Sequence, residues 1–479
     1  VFYLVAAIIL LGAAVRLGPL NREDLEGDEL FSRSIALLPI RSALTAVQDD
    51  IVHPPLYYLV LKVGVLMWGA SPLGIRLPSL IFGLATLALV SGFGGTALRA
   101  RNAGLLAGAM LALNQTMIFF SQQARSYALY TFLALLLFCW VSILAGRKEE
   151  DSSILFWGCG WLIMLALVYT HYMGALYVLS AFIAILTSTA TKRTKLVLFF
   201  LSFTVAASLV PWLFAVVGPY HAKQGLGGNL SWLKPPELAD LMQVWSLAVG
   251  PGNLRRGGGP ALLIVAVLVA SALILAPQVH RIRQSVPILV LALFATLPPI
   301  TIFVLARSPF DLPIFTYRHV VPSIASLCLL CCYGLEALAK RMGRLQASAF
   351  AVGSFILMSA TVFPTLSTYA NGTLRYPWHI IAKDIAAQKR AGLQIFTGDV
   401  SMIGEPVNFY CEMKCVQPLP QDASLLPKTF IYLYQPNAYL GGKDYQDLLK
   451  SGVVEGDIAR YGGGMGRAFE TWMVHLSRP

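Results

Sequence analysis

The sequence predicts a polytopic α-helical membrane protein that ends in a small soluble α/β domain. Three observations carry this reading. Of the 479 residues, 57% are hydrophobic and only 13% charged, whereas soluble domains carry roughly 25% charged residues. Apolar runs of about 20 residues, long enough to cross a bilayer core as helices, recur along most of the chain. The pattern then stops, and residues 370–479 show a mixed composition with no such run.

By length and apolarity about eleven spans are expected, at 1–20, 78–98, 103–121, 127–145, 154–170, 172–190, 196–217, 260–277, 285–306, 319–338 and 345–364. The first run reads as a span rather than a cleaved signal peptide, because "AAVRLGPLN" is a weak cleavage site. One apolar piece, "PLYYLVLKVGVLMWG" (55–69), is excluded from the spans. It is short, has Lys62 at its centre and follows Pro54 and Pro55, so it is expected as a juxtamembrane helix in the interface.

Charge fixes the expected topology. With 55–69 excluded, one set of short loops holds Arg99, Arg101, Arg147, Lys148, Lys192, Arg193, Lys195, Arg281, Arg283, Lys340, Arg341 and Arg344, and the positive-inside rule assigns those loops to the cytoplasm. The first outer loop (21–77), the other loops of that face and the C-terminal domain then lie outside. This divides the chain into a membrane domain, 1–369, and an extracytoplasmic domain, 370–479.

The C-terminal domain alternates helix-like and strand-like segments. "WHIIAKDIAAQKRAG" and "KDYQDLLKSG" read as helices, and "LQIFTG", "TFIYLYQP" and "RAFETWMVHLS" as strands, with "PVNFYCEM" undecided; the order suggests a small α/β sandwich. Cys411 and Cys415 lie here and are placed to form a local disulfide in an oxidising compartment. The other five cysteines fall in apolar runs, where thiols behave as small hydrophobes.

Several functions are excluded or disfavoured. No GxxxxGK[ST] or GxGxxG follows a strand and opens a helix, so ATP-driven chemistry is not suggested. His and Cys at zinc spacing are absent near the two paired cysteines. No nucleic-acid partner is expected. What remains is the outer face, where carboxylates and arginines converge: Asp28, Glu29, Asp49, Asp50 and His53 in the first loop, "SQQARSY" in the second, His171 in a tight third, and "ARSPFDLPIFTYRH" late in the chain. Arg76, Arg125, Arg255, Arg256, Arg307 and Arg318 sit near span ends on the face that disfavours cations. Guanidinium forks suit bidentate phosphate binding, and a lipid phosphate is the natural ligand there. Snorkelling to headgroups and pairing with Asp311 are the bland alternatives.

The ordered set "GDEL…HPPLYYLV…GIRLPSLIFG…FFSQQARSYALY…YRHVVPS" resembles membrane glycosyltransferases of the GT-C superfamily, in the branch of the protein O-mannosyltransferases and the lipid A aminoarabinose transferase (families 39 and 83). The resemblance covers the membrane part and is strongest over 20–145. It implies a GT-C fold, a polyprenyl-phosphate sugar as donor, a lipid, glycan or protein hydroxyl as acceptor at the outer membrane face, and inversion at the anomeric carbon. The bacterial inner membrane is the expected site. A lipid or glycan acceptor is favoured, because no added peptide-binding domain is recognised.

The family's catalytic carboxylate maps to Asp28, with Glu29 beside it. A positioned carboxylate accepts the acceptor's proton while cations stabilise the departing phosphate; the alternative is that "GDEL" only caps a helix. The resemblance puts His53 at the mouth of the donor site, and makes Arg76, Arg125, Tyr127, Tyr317 and Arg318 candidates for phosphate or sugar contact. The chain departs from the family at Gln123, where many relatives carry an acid. Glutamine can orient a hydroxyl but cannot take its proton, so Asp28 stands as the strong base candidate; no cofactor is expected and a divalent metal is disfavoured. A transporter or flippase for a lipid-linked sugar, or a non-catalytic subunit of an envelope assembly, is the alternative class; the first would place charges near mid-membrane, and Gln123 is the best argument for the second.

Overall fold

A computed structural model of the protein describes residues 2–20, 23–147, 153–222, 230, 233–248, 286–342, 348–349, 352–353, 377–411, 414–436, 441–462 and 470–478. The chain divides into two compact units. The first comprises 1–16, 38–64 and 76–363; the second comprises 17–37, 65–75 and 364–479.

The first unit is helical. Among the described residues, five helices are long and apolar enough to cross a membrane: Pro72–Ala97, Tyr127–Gly146, Lys192–Ala222, Val286–Leu305 and Tyr317–Ala337. A sixth span is formed if Arg101–Leu113 and Gln115–Ser121, bent by 66°, are taken together. Phe2–Leu20, Ile154–Thr170 and Gly174–Leu186 are shorter apolar helices. The expected span 260–277 lies outside the described residues, as does nearly all of 345–364.

Burial separates inner helices from peripheral ones. The apolar windows of Tyr317–Ala337 and Tyr127–Gly146 are 78% and 72% buried, but that of Lys192–Ala222 only 11%. The last exposes Phe199, Phe200, Phe203 and Phe214, as a helix turned to hydrocarbon can. Helices approach closely where small residues meet: a Cβ on Gly104 would collide with the backbone of Gly95, and one on Gly160 with the Trp140 ring. Polar cross-links add to this packing, with Ser323 Oγ 2.7 Å from Tyr177 Oη and donating to the Phe294 carbonyl at 2.6 Å.

The 55–69 segment forms the helix Leu56–Trp68. Its 13 residues span about 20 Å at 1.5 Å each, short of a hydrocarbon core of about 30 Å. Tyr57, Tyr58 and Leu61 are buried on one side, while Val63, Leu66 and Met67 are exposed on the other. Lys62 escapes burial of a bare charge by donating to the Leu38 carbonyl at 2.6 Å.

The second unit is built on a five-stranded sheet of order β2-β1-β3-β5-β4, with β1 Gln394–Thr397, β2 Val416–Pro418, β3 Thr429–Tyr434, β4 Val454–Tyr461 and β5 Thr471–Ser477. β1, β2 and β3 run parallel, and β5 is antiparallel to both β3 and β4. Side chains alternate between the faces. Ile395, Ile431, Leu433 and Met473 pack with Trp378, Ile381 and Ile385 of the helix Trp378–Arg390. Phe396, Phe430, Tyr432 and Val474 pack with Tyr445 and Leu448 of the helix Gly441–Lys450. The expected α/β sandwich is present, with two strands, β2 and β4, that alternation did not reveal. The undecided "PVNFYCEM" overlaps the short helix Glu405–Tyr410, after which Cys411 and Cys415 are disulfide-bonded.

Candidate active site

The residues singled out from sequence fall into two groups, one in each unit. His53, Arg76, Gln123, Arg125, Tyr127, Tyr317 and Arg318 belong to the first; Asp28 and Glu29 belong to the second.

In the first unit, the helix Ile40–Asp50 ends at Ile51, which takes a left-handed φ of 58°, a costly conformation for a β-branched residue. The turn brings His53 back onto Asp50, with Nδ1 2.7 Å from Oδ2. Arg125 comes from the turn 122–126, closed by the Arg125 N–H donating to the Gln123 carbonyl at 2.8 Å. Ser79 Oγ braces that turn by donating to the Arg125 carbonyl at 3.3 Å, and Tyr57 Oη lies 3.4 Å from Ser79 Oγ.

The Arg125 guanidinium, 6% exposed, lies with Nη2 3.0 Å from His53 Nε2. A guanidinium only donates, so Nε2 is the acceptor and the ring proton sits on Nδ1, facing Asp50. Asp50, His53 and Arg125 thus form one hydrogen-bonded line. His53, Pro54, Tyr57, Tyr58, Arg125, Ser126 and Thr170 border one narrow crevice with no room for a water-sized occupant.

Aromatic and imidazole rings adjoin this line. His171 stacks on Tyr130 with centroids 4.6 Å apart and lies 5.2 Å from the His319 ring and 6.2 Å from Tyr127. His319 Nδ1 donates to the Ile314 carbonyl at 2.7 Å. Burial, reinforced by His319, His53 and Arg125, holds the His171 pKa well below its usual 6.5. The neutral ring accepts at Nδ1 from the Met173 N–H at 3.2 Å.

Of the other candidates, Gln123 and Arg76 are buried, and Tyr317 and Arg318 are half-buried in the turn Tyr317–Val320. The Tyr317 ring lies 6.1 Å from Phe120, which also packs on Tyr127 at 4.5 Å. Arg307 is used structurally: it donates to the Pro236 carbonyl at 2.9 Å and lies over the Phe303 ring. Arg255 and Arg256 are outside the described residues. Asp50, His171 and His319, which the sequence placed on the outer face without a role, join the site. For Asp50 a signal existed, its place three residues before His53.

In the second unit, Asp28 and Glu29 occupy the first turn of the helix Gly27–Leu37 and differ in setting. Glu29 is 1% exposed and its Oε2 accepts from the Glu26 N–H at 3.4 Å, the return half of a capping box. Asp28 is half-buried, and its carbonyl accepts from Ser32 Oγ at 2.9 Å. Glu29 thus caps its own helix. Among the described residues no group of three or more His, Cys, Asp or Glu is arranged to hold a metal.

No protein-family model and no curated protein matches the sequence. Solved structures do match the fold. ArnT from Cupriavidus metallidurans bound to undecaprenyl phosphate is 15% identical, with 99% of this chain and 97% of that chain covered and a TM-score of 0.57; its apo state matches at 0.55, with 14% identity and the same coverage. The apo oligosaccharyltransferase of Archaeoglobus fulgidus matches at 0.51, with 10% identity over 95% of this chain and 69% of that one. At such identities the likeness is one of fold, and it covers 99% of the chain. The chain is a polytopic membrane protein of the GT-C fold.

Proposed function

We propose that the protein is an inverting glycosyltransferase that moves a monosaccharide from a polyprenyl-phosphate carrier to a hydroxyl of a lipid, glycan or protein acceptor, at the outer face of the bacterial inner membrane. The observation that carries the reading is the fold match over 99% of the chain to a protein whose structure holds undecaprenyl phosphate. The Arg125 guanidinium at the end of the Asp50–His53–Arg125 line supports it, since a fixed guanidinium suits a phosphate.

Asp28 accepts the acceptor hydroxyl's proton as the oxygen bonds to the anomeric carbon from the face opposite the carrier. The carbon–oxygen bond to the carrier breaks, and the electron pair leaves with the polyprenyl phosphate. Arg125, with Arg76 and Arg318, stabilises the charge developing on that phosphate. His53 has both ring nitrogens engaged within the chain, and so serves by holding Arg125. Tyr127, Tyr317 and Gln123 are assigned to the sugar.

The test is mass spectrometry of envelope lipids and glycans from cells that make the intact protein, the Asp28→Asn form or none. Loss of the same sugar increment in the last two supports the reading. Full transfer by Asp28→Asn with loss in the deletion strain moves the base elsewhere, or favours a transporter or assembly role.

A further inference from the structure

The segment that carries Asp28 is gripped by the C-terminal part of its own unit. The helix Trp378–Arg390 begins after Pro377, which offers no side-chain cap, so its first N–H groups need another acceptor. Asp24 supplies it from far away in sequence: Oδ2 accepts from the His379 N–H at 2.8 Å and from His379 Nδ1 at 2.7 Å. A carboxylate at a helix N-terminus meets both the free N–H groups and the positive end of the helix dipole.

The neighbouring residues are held as well. The Leu25 N–H donates to Tyr410 Oη at 2.8 Å. Gly27 lies so near the Ser401 carbonyl that a Cβ there would collide with it. One turn on, Arg33 lies over the Phe409 ring at 5.2 Å and donates to the Ala70 carbonyl at 2.8 Å. Asp28 sits between these attachments, in the first turn of the helix Gly27–Leu37.

We propose that the Asp24–His379 clasp, with Tyr410, positions Asp28 for catalysis, so that the C-terminal unit is needed for turnover. The proposal rests on Asp28 being the base. Asp24, His379 and Tyr410 act through the backbone of residues 24–28 and touch no substrate.

The test uses the full chain in lipid nanodiscs, with Asp24→Ala, Asp24→Asn, His379→Ala and Tyr410→Phe beside Asp28→Asn. Three quantities are read: hydrogen–deuterium exchange over residues 23–33, binding of undecaprenyl phosphate as the carrier probe, and the sugar increment in cells at matched protein level. Asp24→Ala and His379→Ala are expected to speed exchange in that stretch and cut transfer on the order of 10- to 100-fold, with undecaprenyl phosphate binding unchanged. Asp24→Asn, which still accepts from the His379 N–H, should keep most of the activity. Because His379→Ala leaves the helix cap in place, it decides the matter even if Asp24→Ala does not accumulate.

Transfer at the intact level in His379→Ala and Tyr410→Phe, or unchanged exchange, would overturn the proposal while Asp28→Asn stayed inactive. Full transfer by Asp28→Asn would instead remove the base, and the proposal would fall with it. The activity of Asp28→Asn therefore tells the two failures apart.

Discussion

His53 bridges Arg125 and Asp50: Arg125 Nη2 donates to His53 Nε2 at 3.0 Å while His53 Nδ1 donates to Asp50 Oδ2 at 2.7 Å. The imidazole thus orients a guanidinium that is almost fully buried. A hydrogen bond to a charged group contributes about 1.5–3 kcal/mol, or roughly 10- to 100-fold in a rate. His53→Phe is expected to lower transfer within that range. Arg125→Ala should lower it further and weaken undecaprenyl phosphate binding. Arg125→Lys should restore little, since an ammonium lacks the planar fork. Transfer rates and carrier binding of the three variants check this order.

Asp28 and Glu29 should separate by what their loss affects. Removing a positioned base is expected to cost on the order of 100-fold or more in transfer, with no loss of folding in Asp28→Asn. Glu29 caps its own helix from a buried site, so Glu29→Ala should cost about 1 kcal/mol of stability and leave transfer close to intact. Thermal unfolding measured beside transfer distinguishes the two.

Arg16 is wholly buried in the first helix and donates to the Ala112 carbonyl at 2.8 Å, the Leu111 carbonyl at 3.2 Å and Ser121 Oγ at 3.2 Å. Those carbonyls lie in the last turn of Arg101–Leu113, just before the 66° bend into Gln115–Ser121, and Gln122 Nε2 returns a bond to the Arg16 carbonyl at 3.0 Å. Arg16→Met removes these three hydrogen bonds from a buried site, at about 2–4 kcal/mol in all. A lower melting temperature in detergent is expected, and Arg16→Lys should recover only part of the loss because one ammonium cannot reach all three partners.

The Cys411–Cys415 bridge closes a short loop beside Tyr410. Loop-closure entropy for so few residues is about 2 kcal/mol. Cys411→Ser is expected to lower the stability of the C-terminal unit by that amount, and the same shift should follow reduction of the intact protein. Unfolding followed with and without a thiol reductant measures it.

His171 gives a pH dependence whose sign is fixed by its lowered pKa. A folded-state pKa below that of the unfolded chain means that the unfolded chain binds more protons once the pH falls to its usual 6.5. The stability tied to a neutral His171 is therefore fully present above pH 6.5 and declines as acid is added. Melting temperatures taken at falling pH should drop in the intact protein and drop less in His171→Asn.

Much of this protein was legible in its sequence because the membrane imposes a one-dimensional rule. A backbone in hydrocarbon must satisfy its own hydrogen bonds, so runs such as 127–145 and 285–306 announce helices, and the short, lysine-centred 55–69 announces its exclusion from them. The helices and central strands of the C-terminal unit were equally visible, the helices by their repeat and β1 and β3 as short apolar runs buried on both faces. β2 and β4 were not. A three-residue strand has no period to detect, and the edge strand β4 exposes residues on both faces.

The candidate site divides along the same line. The residue types and their order along the chain, from Asp28 through His53 and Arg125 to Arg318, were readable as a pattern. Which groups partner one another was decided by tertiary structure alone. The sequence offered His53 as a phosphate ligand, but a turn at Ile51 and a turn at 122–126, distant in the chain, spend both its nitrogens on Asp50 and Arg125. Likewise Asp24 reaches a helix cap 355 residues away. Hydrogen bonds depend on distances in space, and a sequence records only distances along the chain.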